Sequence, residues 1–251
     1  MFKPPKANET AAFYDGLIGG RVGRLVWGAG SRFDPEKIAN SASARMHYEP
    51  LVRAYCRSDS RVLDIGCSTG GFTGILGKHC GQVTGVDLSP GAVEIANSFF
   101  EANAIDNCTA LVGNGEQIAL ESESIDLIQL VDVIHHAENS KKLMDEAYRL
   151  LKKDGRIVIF EPNKFNLLLF LMCLFDRNEW GALQLGSKNA YRKLLSNRFH
   201  IETIQYNGLL VGPDGAIARK IANFLSVNRG NPILGSQCPK IHIVLRRKDL
   251  A

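Results

Sequence analysis

The sequence predicts an α/β fold, a doubly wound and mostly parallel sheet, on three observations. Short apolar runs alternate with stretches of helical character, as in Val62–Ile65, Val83–Val86 and Leu127–Val131. A turn of small residues, Gly66-Cys67-Ser68-Thr69-Gly70-Gly71, follows the first run directly. The second run ends on an acid, Asp87, 23 positions after Asp64 in the first, a spacing of about one strand–helix–strand unit. Strands separated by helices pair in parallel through right-handed crossovers.

The elements follow in order. Residues 1–57 read as a helical N-terminal cap with glycine breaks at Gly16, Gly19, Gly20, Gly28 and Gly30, ahead of a main domain at 58–251. Strands are predicted over 61–65, 82–86, 109–112, 126–131 and 156–160, with helices over 71–79 and 140–152. Ser89 is placed to cap a further helix with Pro90 at its first position. After Glu161 the character changes. Residues 163–198 carry the apolar run Leu167–Phe175 and then a helical pattern over Lys188–Arg198. Phe199–Tyr206 and Lys240–Arg246 read as two closing strands, making seven. The 33 residues between them, Asn207 to Pro239, exceed a plain hairpin, and residues 215–227 suit a helix. Both 163–198 and 207–239 are expected to be insertions that cover a substrate.

Composition bounds the function. With 251 residues and 45% hydrophobic content, the chain suits one α/β domain with additions. A net charge of +4 is too mild to imply nucleic acid. The six cysteines (Cys56, Cys67, Cys80, Cys108, Cys173 and Cys238) form no C-x-x-C pair and no zinc spacing with histidine, so they read as scattered thiols in a reducing compartment, with no metal. The N-terminal Met-Phe-Lys-Pro-Pro-Lys lacks a signal-peptide core, and the nine-residue apolar run is far short of the ~20 residues of a span. A cytoplasmic protein is the expectation.

The turn and the two acids describe a cofactor site. Small residues let backbone N–H groups approach a ligand at a helix N-terminus. An acid ending the second strand is placed to accept both hydroxyls of a ribose. A nicotinamide dinucleotide site asks for G-x-G-x-x-G, and here those slots hold Gly66, Ser68 and Gly71. Asp64, two residues before the first glycine, opposes a pyrophosphate there and favours a cofactor with a cationic end.

These segments resemble the class I S-adenosylmethionine-dependent methyltransferases, above all the small-molecule group that includes the ubiquinone and menaquinone methyltransferases. Asp64, Gly66, Ser68 and Gly70 match their acid-x-Gly-x-Gly-x-Gly motif, with Ser68 in place of the middle glycine. Gly85-Val-Asp-Leu-Ser-Pro90 matches the second motif, and Val112-Gly-Asn-Gly-Glu116 resembles the segment that passes the adenine, with Asn114 where Asp is usual. Asp126–His136 and Leu150–Phe160 are similar to the fourth and fifth strands, so the likeness covers roughly residues 50–163. The resemblance implies a Rossmann-like methyltransferase fold whose last strand is antiparallel. It also implies S-adenosylmethionine as cofactor and S-adenosylhomocysteine as product; no metal is expected, since the chain lacks a recognisable ligand cluster. The cofactor contacts it implies are Asp64, Gly66, Cys67 (through its backbone), Ser68, Gly70, Asp87, Leu88, Asn114, Gly115, Glu116, Val131 and Tyr14.

His135 and His136 follow the fourth strand at the edge where such sheets bind ligands, and either is a candidate general base. The alternative for both is a loop or capping role. Tyr14 reads as packing or as a donor to the cofactor carboxylate, Tyr48 as part of the same cap, and Arg45 as a surface residue or a partner of that carboxylate. The run Phe165–Phe175 is apolar all round a helix: a core helix, a lid on an apolar acceptor pocket, or a peripheral membrane contact. The expected reaction is methyl transfer to a small, apolar or amphipathic, lipid-like acceptor without nucleic acid. Alternatives are an RNA methyltransferase, whose lysine is missing from Ile157–Phe160, and a non-catalytic module of the same fold.

Overall fold

Seven strands form one sheet in the order β3-β2-β1-β4-β5-β7-β6. The computed structural model describes residues 6–18, 32–212 and 215–248; Gly19, Gly20, Gly28 and Gly30 lie outside them. β1 (Arg61–Ile65), β2 (Gln82–Asp87), β3 (Cys108–Val112), β4 (Ile125–Val131) and β5 (Leu151–Pro162) pair in parallel, while β7 (Lys240–Arg247) runs against β5 and β6 (Phe199–Asn207). The strand order reverses between β1 and β4. At such a switch point the loops leave in opposite directions and open a crevice at the carboxyl edge.

Alternation along the strands splits the core. Val62, Leu127, Val158 and Phe160 pack on one side with Ile75, Leu76 and Phe99; Leu63, Ile65, Ile128, Ile157 and Ile159 pack on the other with Leu150 and Tyr191. Successive side chains in a strand point to opposite faces, so a continuous apolar strand serves both layers. One layer is built from α5 (Gly71–Gly77) and α6 (Pro90–Ala102), the other from α7 (Ser140–Leu150) and α10 (Lys188–Leu195). Ser89 caps α6, its Oγ accepting from Ala92 N at 3.0 Å, an interaction worth about 1 kcal/mol.

The N-terminal region contributes α1 (Ala7–Ile18), α2 (Pro35–Ala39), α3 (Ala42–His47) and α4 (Glu49–Arg53). Gly16 does not break α1, contrary to the sequence expectation; the helix runs on to Ile18. Asp15 accepts from Ser89 Oγ and from Gly91 N at the N-terminus of α6, where the helix dipole favours a carboxylate. Cys56 and Cys80 form a disulfide, a correction to the expectation of scattered thiols; Cys67, Cys108, Cys173 and Cys238 are free and buried.

The segments after β5 form α8 (Leu167–Phe175), a 3-10 turn (Arg177–Glu179), α9 (Trp180–Leu185), α11 (Ala216–Val227) and α12 (Pro232–Ser236). Among the residues of α8, Cys173 alone is buried, so the apolar run is not the core helix its composition allowed. No helix among the described residues is long and apolar enough to cross a membrane.

Candidate active site

The turn after β1 is shaped by backbone conformation. Gly66 (φ +75°), Ser68 (φ +48°) and Gly70 (φ +84°) all adopt left-handed geometry. A Cβ on Gly66 would meet Val133 Cγ2 at 2.3 Å, so glycine is required there. Ser68 carries a steric cost of about 1–2 kcal/mol in this region. In return its N–H points at β2 and donates to Asp87 Oδ2 at 2.8 Å. Asp87 Oδ1 accepts from Ser89 N at 2.9 Å, so each carboxylate oxygen is fixed by one backbone donor and keeps a lone pair. Burial pushes the Asp87 carboxyl up, against the lowering by those N–H groups.

Asp64 sits one strand away, paired in register with Gly85 of β2 and Gln129 of β4. It is buried and accepts from Thr73 Oγ1 at 2.6 Å. Burial raises its pKa to about 6, against the lowering by Thr73, and the charge of Asp87 adds to the rise. The Cys67 thiol is packed over Gly85 and is pushed well up by burial, so it offers no thiolate nucleophile.

The loop after β4 is organised by Glu161, a buried acid on β5. It accepts from Val133 N and Ile134 N at 2.8 Å, from Tyr191 Oη at 3.0 Å, and from His135 Nδ1 at 2.6 Å. His135 Nε2 faces Glu179 at 3.3 Å. Burial alone would lower the pKa of His135, but the two carboxylates outweigh it and raise it to about 9. His136 behaves in the opposite way. Burial and the adjacent His135 charge lower it to about 4, although Glu179 opposes them. Its Nδ1 lies 3.0 Å from the Asn178 carbonyl, which can only accept, so Nδ1 carries the proton. Nε2 then accepts from the Tyr14 hydroxyl at 2.9 Å.

Around these residues Arg32 pairs with Glu179 at 3.5 Å and with Asp132 at 3.8 Å, and Lys240 pairs with Asp132. Three cations, counting protonated His135, thus face the three anions Asp132, Glu161 and Glu179. His135, His136 and Glu179 also bring one metal-ligating atom each within 4.8 Å of one another, a grouping that sequence spacing did not reveal. The charges already balance there, and the Arg32 guanidinium beside Glu179 repels a further cation.

A cleft of about 150 Å³ joins the two acids to this network. Of the residues expected to touch a cofactor, Asp64, Gly66, Cys67, Ser68, Asp87, Leu88, Asn114, Gly115, Glu116, Val131 and Tyr14 line it, and so does His136. Gly70 does not; it is packed under Phe100 and Ala96. His135 lies behind the wall, both ring nitrogens taken by carboxylates, which is incompatible with the direct proton transfer that its position in the sequence suggested. Asn114 turns its Oδ1 onto Glu116 N, and Glu116 accepts from Asn139 N, so both side chains also hold their own loop. Arg45 donates to Asn40 O away from the cleft, and Tyr48 is a core residue bonded to Gln129.

Residues 163–186 contribute nothing to the cleft lining, and 207–239 contribute Val211, where the sequence suggested a pocket built from both segments. α8 is bonded to Gln237 with most of its apolar side chains exposed, and the 3-10 turn beyond it holds His135 and His136 from behind the cleft wall. Sequence reasoning also missed Thr10, Arg32, Asp132, Glu161 and Glu179. Glu161 carried a signal, an acid ending an otherwise apolar strand; Arg32, Asp132 and Glu179 gain meaning through contacts that span 44 to 147 positions. The hydroxyls of Thr10 and Thr69 are buried, line the cleft and have no hydrogen-bond partner among the described residues. Unpaired buried hydroxyls are uncommon and point to a polar ligand.

Comparison with known proteins agrees with this geometry. Residues 63–159 match a family profile described as a methyltransferase domain. The chain is 32% identical over 111 residues to an uncharacterized methyltransferase, YcgJ, of Bacillus subtilis, a match covering 44% of each chain. It is 25% identical over 221 residues to the ubiquinone/menaquinone biosynthesis C-methyltransferase UbiE of Zymomonas mobilis, covering 85% of this chain and 88% of that one. The chain spans less than half the length of several other curated relatives it matches. The crystal structure of geranyl diphosphate C-methyltransferase from Streptomyces coelicolor superposes with a TM-score of 0.63 at 15% identity over 98% of both chains, a likeness of fold.

Proposed function

We propose that this chain, whose residues 63–159 form a methyltransferase domain, binds S-adenosylmethionine in the cleft and transfers its methyl group to a small apolar or amphipathic acceptor. The observation that carries the reading is Asp87. Its two oxygens are fixed by Ser68 N and Ser89 N and face the cleft as a matched pair of acceptors for ribose hydroxyls. Asp64 supplies a buried negative charge for the cationic amino acid end, and Thr10 and Thr69 supply unpaired hydroxyls. These donors and acceptors fit the cofactor, and they fit a polyanionic pyrophosphate poorly.

When bound, the cofactor supplies a methyl group on a sulfonium, a very good leaving group. The protein's work is then positioning and exclusion of water. α1 crosses the cleft through Thr10, Ala11 and Tyr14, and Tyr14 is latched to His136. Neutral His136, with its tautomer fixed by Asn178, is a hydrogen-bond acceptor; its depressed pKa makes it a weak base, suited to an acceptor that loses its proton easily or loses none. Protonated His135, held by Glu161 and Glu179, positions that loop. Phe33, Ile38, Phe72, Val133 and Val211 give the cleft an apolar wall. This wall, together with a relative named for quinone methylation, supports an apolar acceptor.

The test is calorimetric titration with S-adenosylmethionine. Asp87→Ala removes charge-assisted hydrogen bonds worth roughly 1.5–3 kcal/mol each, so affinity falls at least about tenfold. Unchanged affinity in a folded variant would falsify the assignment.

A further inference from the structure

Fifteen large hydrophobic side chains are exposed among the described residues, and twelve of them lie in two segments, 165–175 and 217–233. On α8 they include Leu168, Leu171, Leu174 and Phe175, the last 87% exposed. On α11 they are Ile217, Ile221, Phe224 and Val227, spaced to share one helical face, whereas the buried residues of that helix are the small Ala222 and Ser226. This inverts the usual arrangement, in which the large apolar face of a surface helix turns inward. The two segments are joined. Gln237, just after α12, donates to Phe165 O at 2.9 Å and accepts from Leu167 N at 3.2 Å, and Ile233 of α12 is itself 75% exposed. Exposed apolar surface on this scale marks a binding surface and not an ordinary solvated face.

Charge identifies the occupant. Residues 215–239 contain three basic residues and no acidic one; residues 163–198 contain six basic and two acidic. Of those acids Glu179 is neutralised internally, while Asp176 keeps its charge and holds the 3-10 turn. Asp176 accepts from Asn178 N at 2.9 Å, and Glu179 pairs with Arg32 and His135. Lys164 and Arg177 stand at the two ends of α8, and Lys220 and Arg229 stand on and after α11. A second copy of the chain would bring these like charges together, whereas an anionic lipid surface complements them.

We propose that α8, α11 and α12 form a surface that seats on an anionic phospholipid bilayer. With nine residues at 1.5 Å each, α8 is about 14 Å long, less than half of the ~30 Å hydrocarbon core, so it lies in the interface without crossing. α8 leads directly into the 3-10 turn whose Asn178 and Glu179 contact His136 and His135, so the seated surface borders the edge of the sheet that holds the cleft. On the reading of an apolar acceptor, on which this consequence rests, the acceptor is drawn from the membrane.

The experiment is co-sedimentation of the full chain with vesicles of phosphatidylcholine alone and of phosphatidylcholine mixed equally with phosphatidylglycerol, alongside titration with S-adenosylmethionine. The chain should bind the mixed vesicles at least tenfold more tightly, and raising salt to about 0.5 M, where screening shortens to a few ångströms, should weaken binding. Leu168→Glu with Leu171→Glu, and separately Ile221→Glu with Phe224→Glu, replace exposed side chains and should abolish vesicle binding while cofactor affinity and the melting temperature hold. The proposal is overturned if the chain binds neither vesicle, if both double variants still bind, or if ultracentrifugation shows a dimer that these substitutions dissolve. Loss of cofactor binding in the unmodified chain would instead sink the methyl-transfer reading and leave the surface intact.

Discussion

Tyr14 donates its hydroxyl to Nε2 of His136 at 2.9 Å across 122 positions of sequence, latching the first helix over the cleft. The bond exists because the Asn178 carbonyl holds the proton of His136 on Nδ1, which leaves Nε2 as an acceptor. Tyr14→Phe removes the donor and leaves a buried acceptor unpaired, a loss of about 1–3 kcal/mol. We expect S-adenosylmethionine affinity to fall roughly fivefold or more. Calorimetry that shows the phenylalanine variant binding as well as the parent would separate α1 from the cofactor.

Cofactor affinity should depend on pH through Asp64. Its carboxyl, raised by burial to about 6, is ionised at pH 7.5 and mostly protonated at pH 5. A cationic ligand group prefers the ionised form, so affinity rises with pH over this range, by several-fold and at most about tenfold per unit below pH 6. The Asp64→Asn variant should bind weakly with a flat profile. A parent profile that is level from pH 5 to 7.5 would count against Asp64 as the counter-charge.

His135 should make the fold sensitive to alkali. Its folded pKa of about 9 lies above its unfolded value of about 6.5, so the stability it contributes is complete below pH 6.5 and is lost as pH rises through 9. The loss is about 3 kcal/mol, a fall in Tm of roughly 6–12 °C for a chain of this size. His135→Asn should melt lower at pH 7 and show a shallower decline toward pH 10. Parallel melting curves for the two proteins between pH 7 and 10 would contradict the charged-histidine network.

Chelation should leave methyl transfer unchanged. Arg32, Lys240 and protonated His135 already balance Asp132, Glu161 and Glu179, so the grouping of His135, His136 and Glu179 calls for no added cation. Turnover lost on dialysis against EDTA and restored by a divalent metal would show that this grouping holds an ion.

Much of the fold was legible because its signals are local. The turn after Ile65, the cap at Ser89 and the apolar strands depend on neighbours within a few positions, and β1, β4 and the start of α6 fall within a residue or so of where the pattern puts them. Asp64 and Asp87 were legible for the same reason, since each stands at the end of a strand that the pattern identifies. The exposed run of α8 was harder, because composition says that nine apolar residues seek a partner but not whether that partner is the core.

By itself the sequence determined the α/β alternation, the glycine-rich turn and the two acids at the strand ends, because strand period, backbone sterics and capping are short-range physics. Only the tertiary structure decided what the histidines do. His135 and His136 are adjacent in the chain and identical in chemistry, yet one is held charged between Glu161 and Glu179 and the other neutral between Tyr14 and Asn178. A side chain's protonation depends on burial and on the charges within a few ångströms, and in this site those charges arrive from positions 32, 161 and 179, which no local pattern brings together.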